Sequence, residues 1–412
     1  MQHKGKVLVF LFTALIILYG VSAAFWDTTY TALNVFMDAL HHVDEYYVEP
    51  PDLNKVQQGA MRGLIEALDP YSAFLTKEQI QALDSRKDKT ADVGVVLSKR
   101  ANIICVVSTE RNGPAAAAGM RPGDYLTAID GANIEDKSIL EVGSLLRGDP
   151  GSKVKAAVFR GADTKPTEIE MVRRNEEPPA VGSRMLDGRI GLLEIPSLAS
   201  VTIEQARVKL KTLVSAGAQK LILDLRGCAD GKADYGADLA NLFLRSGVVY
   251  SIRGHGGEKL EEISADPEKF VTDLPMVVMI NGSTAGPAEI AAGALKGNGR
   301  ALLVGEKSFG MGCYQKRISL KSGAVLVLST AKFYTPDGKM IENDETLRET
   351  GIAPNVESPD QDRLNDLLVD AYFDGQADAV KYKQLQEKLN QEQLDKALEV
   401  LNKGLAVPRR AA

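Results

Sequence analysis

From Tyr30 to about Leu83, apolar residues recur at three- and four-residue steps: Leu33, Phe36, Met37 and Leu40, then Val56, Ala60, Leu64, Ile65 and Leu68. That spacing predicts two or three amphipathic helices, broken at Glu49-Pro50-Pro51 and at Asp69-Pro70. From Asp92 to about Arg174 the pattern changes to short apolar runs at 93–97, 103–107, 125–129 and 153–158, separated by turn residues. This is the signature of a small β-rich domain. Between Gly182 and about Val356, uninterrupted apolar runs at 190–195, 221–225 and 276–280 alternate with helical stretches at 233–244 and 287–295. Runs of that kind predict strands buried on both faces of an α/β core. After Pro359, Leu364, Leu367, Leu368 and Ala371, then Leu394, Leu398 and Leu401, mark amphipathic helices in a highly charged tail.

The start of the chain has another character. Lys4 and Lys6 precede an uncharged, largely apolar stretch from Val7 to Trp26, close to the ~20 residues that span a bilayer. Val21-Ser22-Ala23 resembles a small-residue cleavage site. A retained anchor and a cleaved signal peptide both fit, and in either case the basic residues stay cytoplasmic and the rest of the chain is exported, the anchor holding it at the membrane. The expected organisation is multidomain α/β (α+β): a signal anchor or peptide over 1–26, a helical module over 27–88, a β-rich domain over 89–176, an α/β core over 177–357 and a helical tail over 358–412. The tail is expected to serve packing or oligomerisation.

Composition narrows the function. At 412 residues, with 44% hydrophobic and 25% charged residues, the chain has material for several folded domains. Lys and Arg total 49 against 55 Asp and Glu, a net charge of −6, which leaves no basic field for nucleic acid. The cysteines Cys105, Cys228 and Cys313 and the histidines His3, His41, His42 and His255 show no metal-ligand spacing, so neither a metal nor another cofactor is implied.

Several motifs occur in one order: Leu68-Asp69-Pro70-Tyr71-Ser72-Ala73-Phe74-Leu75; Gly113-Pro114 through Gly123-Asp124; Ile129-Asp130-Gly131; Leu146-Arg147-Gly148-Asp149-Pro150-Gly151. They continue with Leu223-Asp224-Leu225-Arg226-Gly227, Gly305-Glu306-Lys307-Ser308-Phe309-Gly310, Tyr334-Thr335-Pro336-Asp337-Gly338 and Gly351-Ile352-Ala353-Pro354. The set resembles the C-terminal processing peptidases, or tail-specific proteases, which join a PDZ domain to a serine-protease core of the ClpP/crotonase-like type. In the β-rich domain, Gly94, Val95 and Val96 can present backbone groups to an added peptide strand, and Leu97 with Met120 can line an apolar pocket for its terminal side chain. The same apolar residues would also serve as core.

The resemblance implies a nucleophilic Ser in an SASASEI-like segment and a Lys base in FGKG. This chain has Gly286 at the first position and Met311 at the second, with the usual separation of 25 residues and with the supporting Gln present as Gln315. The oxyanion hole implied by the family uses the N–H after the nucleophile and a Gly of an RxNPGG loop. Here those positions hold Pro287, which has no N–H, and Asp230. Gly286, Pro287 and Glu289 suit instead the N-cap, N1 and N3 of a helix.

The expected function is therefore that of a pseudopeptidase, binding peptides or protein C-termini through its PDZ domain and acting as scaffold or regulator of envelope proteolysis. An active homologous protease or an envelope lipoprotein is the expected partner. One alternative is an active endopeptidase with a relocated nucleophile, Ser283 or Thr284 with Lys307, or the thiol of Cys228 or Cys313. Those two cysteines could equally form a disulfide across the cleft. A third reading is a structural protein that assembles into homo-oligomers through its tail.

Overall fold

The amphipathic spacing near the start is realised as helix α1 over 33–46 and helix α2, Leu53–Glu66, separated by the Glu49-Pro50-Pro51 break. The computed structural model describes residues 31, 33–100, 103–160, 165–175, 177–342, 351–358, 363, 367 and 379–404. The leader expected over 1–26, and Leu364, Leu368 and Ala371 of the tail, lie outside the described residues. Among the described residues no helix is long and apolar enough to cross a membrane. The described residues up to Leu64 form a unit of their own, in which Leu33, Val35, Phe36 and Met37 of α1 are exposed.

Beyond that point the sequence expectation of helices alone fails. Asp69 accepts from the N–H groups of Tyr71 and Ser72, both at 2.8 Å, and this turn leads into strand β1, Ala73–Leu75. β1 pairs antiparallel with a strand about 250 residues later, Ala73 opposite Val327. Three residues are too few for a periodicity to reveal. Helix α3, Lys77–Asp84, follows behind a reciprocal capping box in which Thr76 and Gln79 bond each other's backbone N–H.

The β-rich domain begins with β2, Ala91–Asp92, and then β3, Val95–Arg100, β4, Ile103–Thr109, the short helix α4, Pro114–Ala117, and β5, Tyr125–Ile129. β6, Ala132–Asn133, helix α5, Ile139–Leu146, β7, Lys153–Phe159, β8, Thr167–Val172, and β9, Arg174–Asn175, complete it. The main sheet has the order β3-β4-β5-β7-β8, with β3 at an edge. Its core joins Val93, Leu97, Ile104, Val106, Met120 and Leu126, among others. A register shift between Val96 and Leu97 leaves Val107 of β4 as an extra residue, a β-bulge that turns Val107 and Ser108 away from this core.

The α/β core runs β10, Gly182–Leu186, β11, Ile190–Glu194, α6, Ser200–Ser215, β12, Lys220–Asp224, α7, Ala233–Asn241, β13, Val248–Arg253, and β14, Lys259–Ser264. It continues with β15, Met276–Ile280, α8, Pro287–Gly297, β16, Leu302–Gly305, β17, Cys313–Ser319, β18, Val325–Tyr334, and β19, Val356–Glu357. One sheet has the order β10-β11-β12-β15-β16-β19, parallel from β11 onward. The second is β1-β18-β13-β14, with β17 also pairing β18. The residues of α8 from Pro287 to Leu295 are buried all round, as expected of a helix set between layers. Helix α9, Ala379–Lys403, lays Leu394, Ala397, Val400 and Leu401 on the other face of the parallel sheet, against Leu192, Ile222, Val277, Met279, Leu302 and Val304.

Candidate functional site

Three loops leave the carboxyl ends of the adjacent parallel strands β12, β15 and β16, the edge at which open α/β sheets place their sites. They are 225–231, 281–286 and 306–311, and backbone bonds join them in series. Ala285 N–H donates to the Cys228 carbonyl at 2.9 Å, and Phe309 N–H to the Thr284 carbonyl at 2.9 Å. Asn281 Oδ1 adds a bond from Gly227 N–H at 3.0 Å. The fold therefore brings Asp230, Gly286, Pro287 and Met311 to one place.

Gly286 is the N-cap of α8, with φ +56° and ψ −117°, and Pro287 is its first residue. A Cβ built on Gly286 would lie 3.8 Å from Met311 Sδ and 3.8 Å from the Ala229 carbonyl oxygen, ordinary contact distances. The space for a side chain at 286 is thus preserved, and it faces the tip of residue 311. Pro287 supplies no donor, and its carbonyl is packed so closely on Gly236 of α7 that a Cβ there would meet it at 2.2 Å. A Cβ on Gly231, at φ +114°, would meet the Leu198 carbonyl oxygen at 1.9 Å, so only glycine fits. Asp230 beside it is exposed, and its Oδ2 accepts from Ser197 Oγ at 2.5 Å. Desolvation by the surrounding protein raises its carboxyl pKa, against the Ser197 bond.

Glu289, expected as an N3 residue favourable to the helix dipole, is wholly buried and ties the start of α8 at Gly286 to the 306–311 loop. Its Oε2 accepts from Gly286 N–H at 2.9 Å and Met311 N–H at 2.7 Å; its Oε1 accepts from Gly310 N–H at 2.7 Å and from Ser308 Oγ. Ser308 Oγ in turn accepts from Ile352 N–H at 2.7 Å. Burial pushes Glu289 up to about 7 in spite of these donors.

The groups considered for a displaced nucleophile are poorly suited. Thr284 Oγ1 donates to the Leu225 carbonyl at 2.9 Å and accepts from Asn281 N–H at 3.0 Å, so its hydroxyl is a structural tie. Ser283 is buried and Lys307 is exposed, and no hydrogen bond among the described residues joins Lys307 to either hydroxyl. Cys228 and Cys313 are free thiols, so the disulfide across the cleft that they could have formed is not made. Burial raises Cys228 well above the ordinary thiol range, and burial with the nearby Glu342 carboxylate pushes Cys313 up to about 12, so neither is a thiolate at neutral pH. Gln315 does not reach toward Met311; its side-chain amide donates to the Tyr71 carbonyl.

The β-rich domain abuts this cleft. Val96 and Val107 pack in one apolar cluster with Ala229, Ala285, Phe309 and Met311. Ser108 Oγ donates to the Gly227 carbonyl at 2.6 Å, and Arg111 pairs with Glu194 at 3.2 Å. Of the expected peptide-contacting residues, Gly94, Val95 and Val96 lie at or beside the edge strand β3. Leu97 and Met120 do not line an open pocket: they are 8% and 2% exposed, and belong to the domain core because strand alternation turns Leu97 inward while Val96 faces the cleft.

A PDZ-type sheet set against an α/β peptidase fold, with the loops of its parallel strands converging on one cleft, defines the PDZ-protease class of fold. The model of peptidase family S41 matches residues 189–358, and that of a PDZ domain matches residues 106–158. The carboxy-terminal-processing protease of Bartonella bacilliformis is 32% identical over 354 residues, 84% of this chain and 80% of that protein. The carboxy-terminal processing protease CtpA of Bacillus subtilis is 31% identical, covering 85% of this chain and 74% of its own. Among solved structures, the photosystem II D1 C-terminal processing protease superposes with a TM-score of 0.64 at 25% identity, over 79% of this chain and 92% of that one. The chain belongs to the carboxy-terminal processing proteases of peptidase family S41.

Proposed function

We propose that this member of the family is a pseudopeptidase, which holds polypeptide through its PDZ domain and does not hydrolyse it. The observation that carries this reading is the pairing of Gly286 with Met311 inside an otherwise ordered cleft: there is no attacking oxygen on one side and no proton acceptor on the other. A general base and a nucleophile must lie within hydrogen-bond reach of each other, and a glycine with a thioether cannot form that bond. Pro287 removes a backbone donor as well, and loss of one such donor alone costs about 10²–10³ in rate. The retained fold and PDZ sheet support a scaffold or regulatory role toward an active homologous protease or an envelope lipoprotein. Export to a bacterial envelope, with the basic and apolar leader as anchor, is part of the same proposal.

The test is incubation of purified protein with an unfolded substrate, followed by mass spectrometry of the products. No cleavage beyond that of a no-protein control is expected. Turnover that vanishes in Ser283→Ala or Cys313→Ala would overturn the reading in favour of a displaced nucleophile.

A further inference from the structure

A PDZ groove that captures a chain terminus needs free backbone N–H groups to receive the terminal carboxylate. Two of those at the start of this groove, on Val93 and Gly94, are already engaged. Asp92, the last residue of β2, turns its own side chain onto the loop that leads into β3, and Oδ1 accepts from Val93 N–H at 2.5 Å and Gly94 N–H at 3.3 Å. Oδ2 is held by Arg147 Nε at 3.2 Å, from the end of α5. A second carboxylate stands beside it. Glu110 bonds Arg174, and its Oε2 lies 2.6 Å from where a Cβ on Gly94 would be, so the glycine is needed to let Glu110 approach. A peptide terminus arriving at this loop would bring a third negative charge against Asp92 and Glu110, with both nearby arginines already engaged by those carboxylates.

The first residues of the strand beyond the loop, the part-exposed Val95 and Val96, remain suited to pairing, whereas Leu97, Ser98 and Lys99 are buried, Ser98 on Tyr71 and Lys99 on Glu66. β3 is the edge of its sheet, and among the described residues β4 is its strand neighbour. Main-chain pairing along an edge needs no terminus.

We propose that Asp92 acts as a built-in carboxylate in the PDZ groove, so that the groove takes internal extended segments of unfolded polypeptide in preference to free C-termini. This rests on the peptide-binding function proposed above and names its ligand class. Asp92 is the residue that sets the preference, through charge and through the two N–H groups it occupies.

The experiment uses the purified full chain and fluorescein-labelled nine-residue peptides of alternating apolar and polar residues, each made as a free acid and as a C-terminal amide, read by fluorescence anisotropy. On the unaltered protein the amides are expected to bind at least as tightly as the acids. Asp92→Gly should favour the acids by about tenfold, the scale of one charge-assisted hydrogen bond. Asp92→Asn, which keeps the bonds of the turn and removes the charge, should move in the same direction by less, and it decides the matter if Asp92→Gly does not fold. A preference of the unaltered protein for acids, unchanged in both variants, would overturn the proposal and leave peptide binding standing. Folded protein, unaltered and substituted, that binds neither form would instead remove the peptide-binding function, and the proposal with it.

Discussion

The sulfur of Met311 lies 3.8 Å from the point where a side-chain carbon would leave Gly286. A serine at 286 would therefore project toward residue 311, although φ +56° at that position strains any L side chain by about 1–3 kcal/mol. Gly286→Ser alone should lower the unfolding free energy from urea denaturation by that amount and yield no hydrolysis. Combined with Met311→Lys, Pro287→Ala and Asp230→Gly, it should produce cleavage of an unfolded substrate detectable by mass spectrometry. Omitting Pro287→Ala should slow that cleavage by about 10²-fold or more. A folded but inert fourfold variant would mean that the cleft has changed beyond these four positions.

Glu289 makes a sharper prediction, because its carboxyl accepts three backbone N–H groups and a hydroxyl. Glu289→Gln puts an amide NH₂ where one oxygen stood, facing two donors, and each unsatisfied buried N–H costs about 1–3 kcal/mol. The variant should lose roughly 2–5 kcal/mol in urea denaturation.

The same residue fixes a pH dependence. Its folded-state value is raised to about 7 from 4.5, so between those limits the folded chain holds a proton that the unfolded chain has released. Stability contributed by that proton is present near pH 4.5 and lost as pH rises through about 7. The gap in unfolding free energy between the native protein and Glu289→Gln should narrow by up to about 3 kcal/mol across this window, the equivalent of the shift at about 1.4 kcal/mol per pH unit. A gap that widens with pH would show that the four donors outweigh burial.

Cys313 tests the displaced-thiol alternative. With its thiol pushed up to about 12 from 9.0, the thiolate fraction at pH 8 falls about 10³-fold below that of an unperturbed cysteine. Alkylation by iodoacetamide under native conditions, followed by peptide mapping, should leave Cys313 and Cys228 unmodified long after an unfolded control has reacted. Rapid labelling of Cys313 would restore it as a candidate nucleophile.

Much of this was legible in the sequence because each cleft loop is a continuous segment: Arg226 to Gly231, Asn281 to Glu289 and Gly305 to Met311 can be read separately. The helix-start character of Gly286, Pro287 and Glu289 was equally local, and the structure has that cap. What escaped depends on which segments meet. Nothing in the spacing of Glu289, Ser308, Gly310 and Met311 reveals that one carboxyl joins them, because the contact exists only once β15 and β16 lie side by side. Strand β1 was hidden for the same reason, its partner being far along the chain. Leu97 and Met120 show the opposite error: an apolar residue near a groove carries no mark of whether it lines the groove or the core beneath it.

The tail offers a final discrimination between packing and assembly. Leu394, Ala397, Val400 and Leu401 of α9 cover a sheet face made of Leu192, Ile222, Val277, Met279, Leu302 and Val304. Polar ties accompany this contact: Arg226, which grips Asp224, donates through Nη1 to Gln393 Oε1 at 2.8 Å, and Gln393 Nε2 donates to Glu306 at 2.8 Å. At the other end of the helix the Arg121 guanidinium stacks 3.7 Å over the Tyr382 ring, linking α9 to the PDZ domain. If α9 stabilises the chain to which it belongs, Leu401→Ala should cost about 2–5 kcal/mol, as large-to-small changes in a packed core do. Deletion from residue 379 onward should leave that apolar sheet face uncovered, giving aggregated or unfolded protein rather than a smaller soluble species. Tyr382→Ala should be mild in global stability, about 0.5–2 kcal/mol, and should raise amide exchange in the PDZ segment around Arg121. A deletion variant that keeps the unfolding midpoint and changes only its sedimentation would assign the tail to assembly instead.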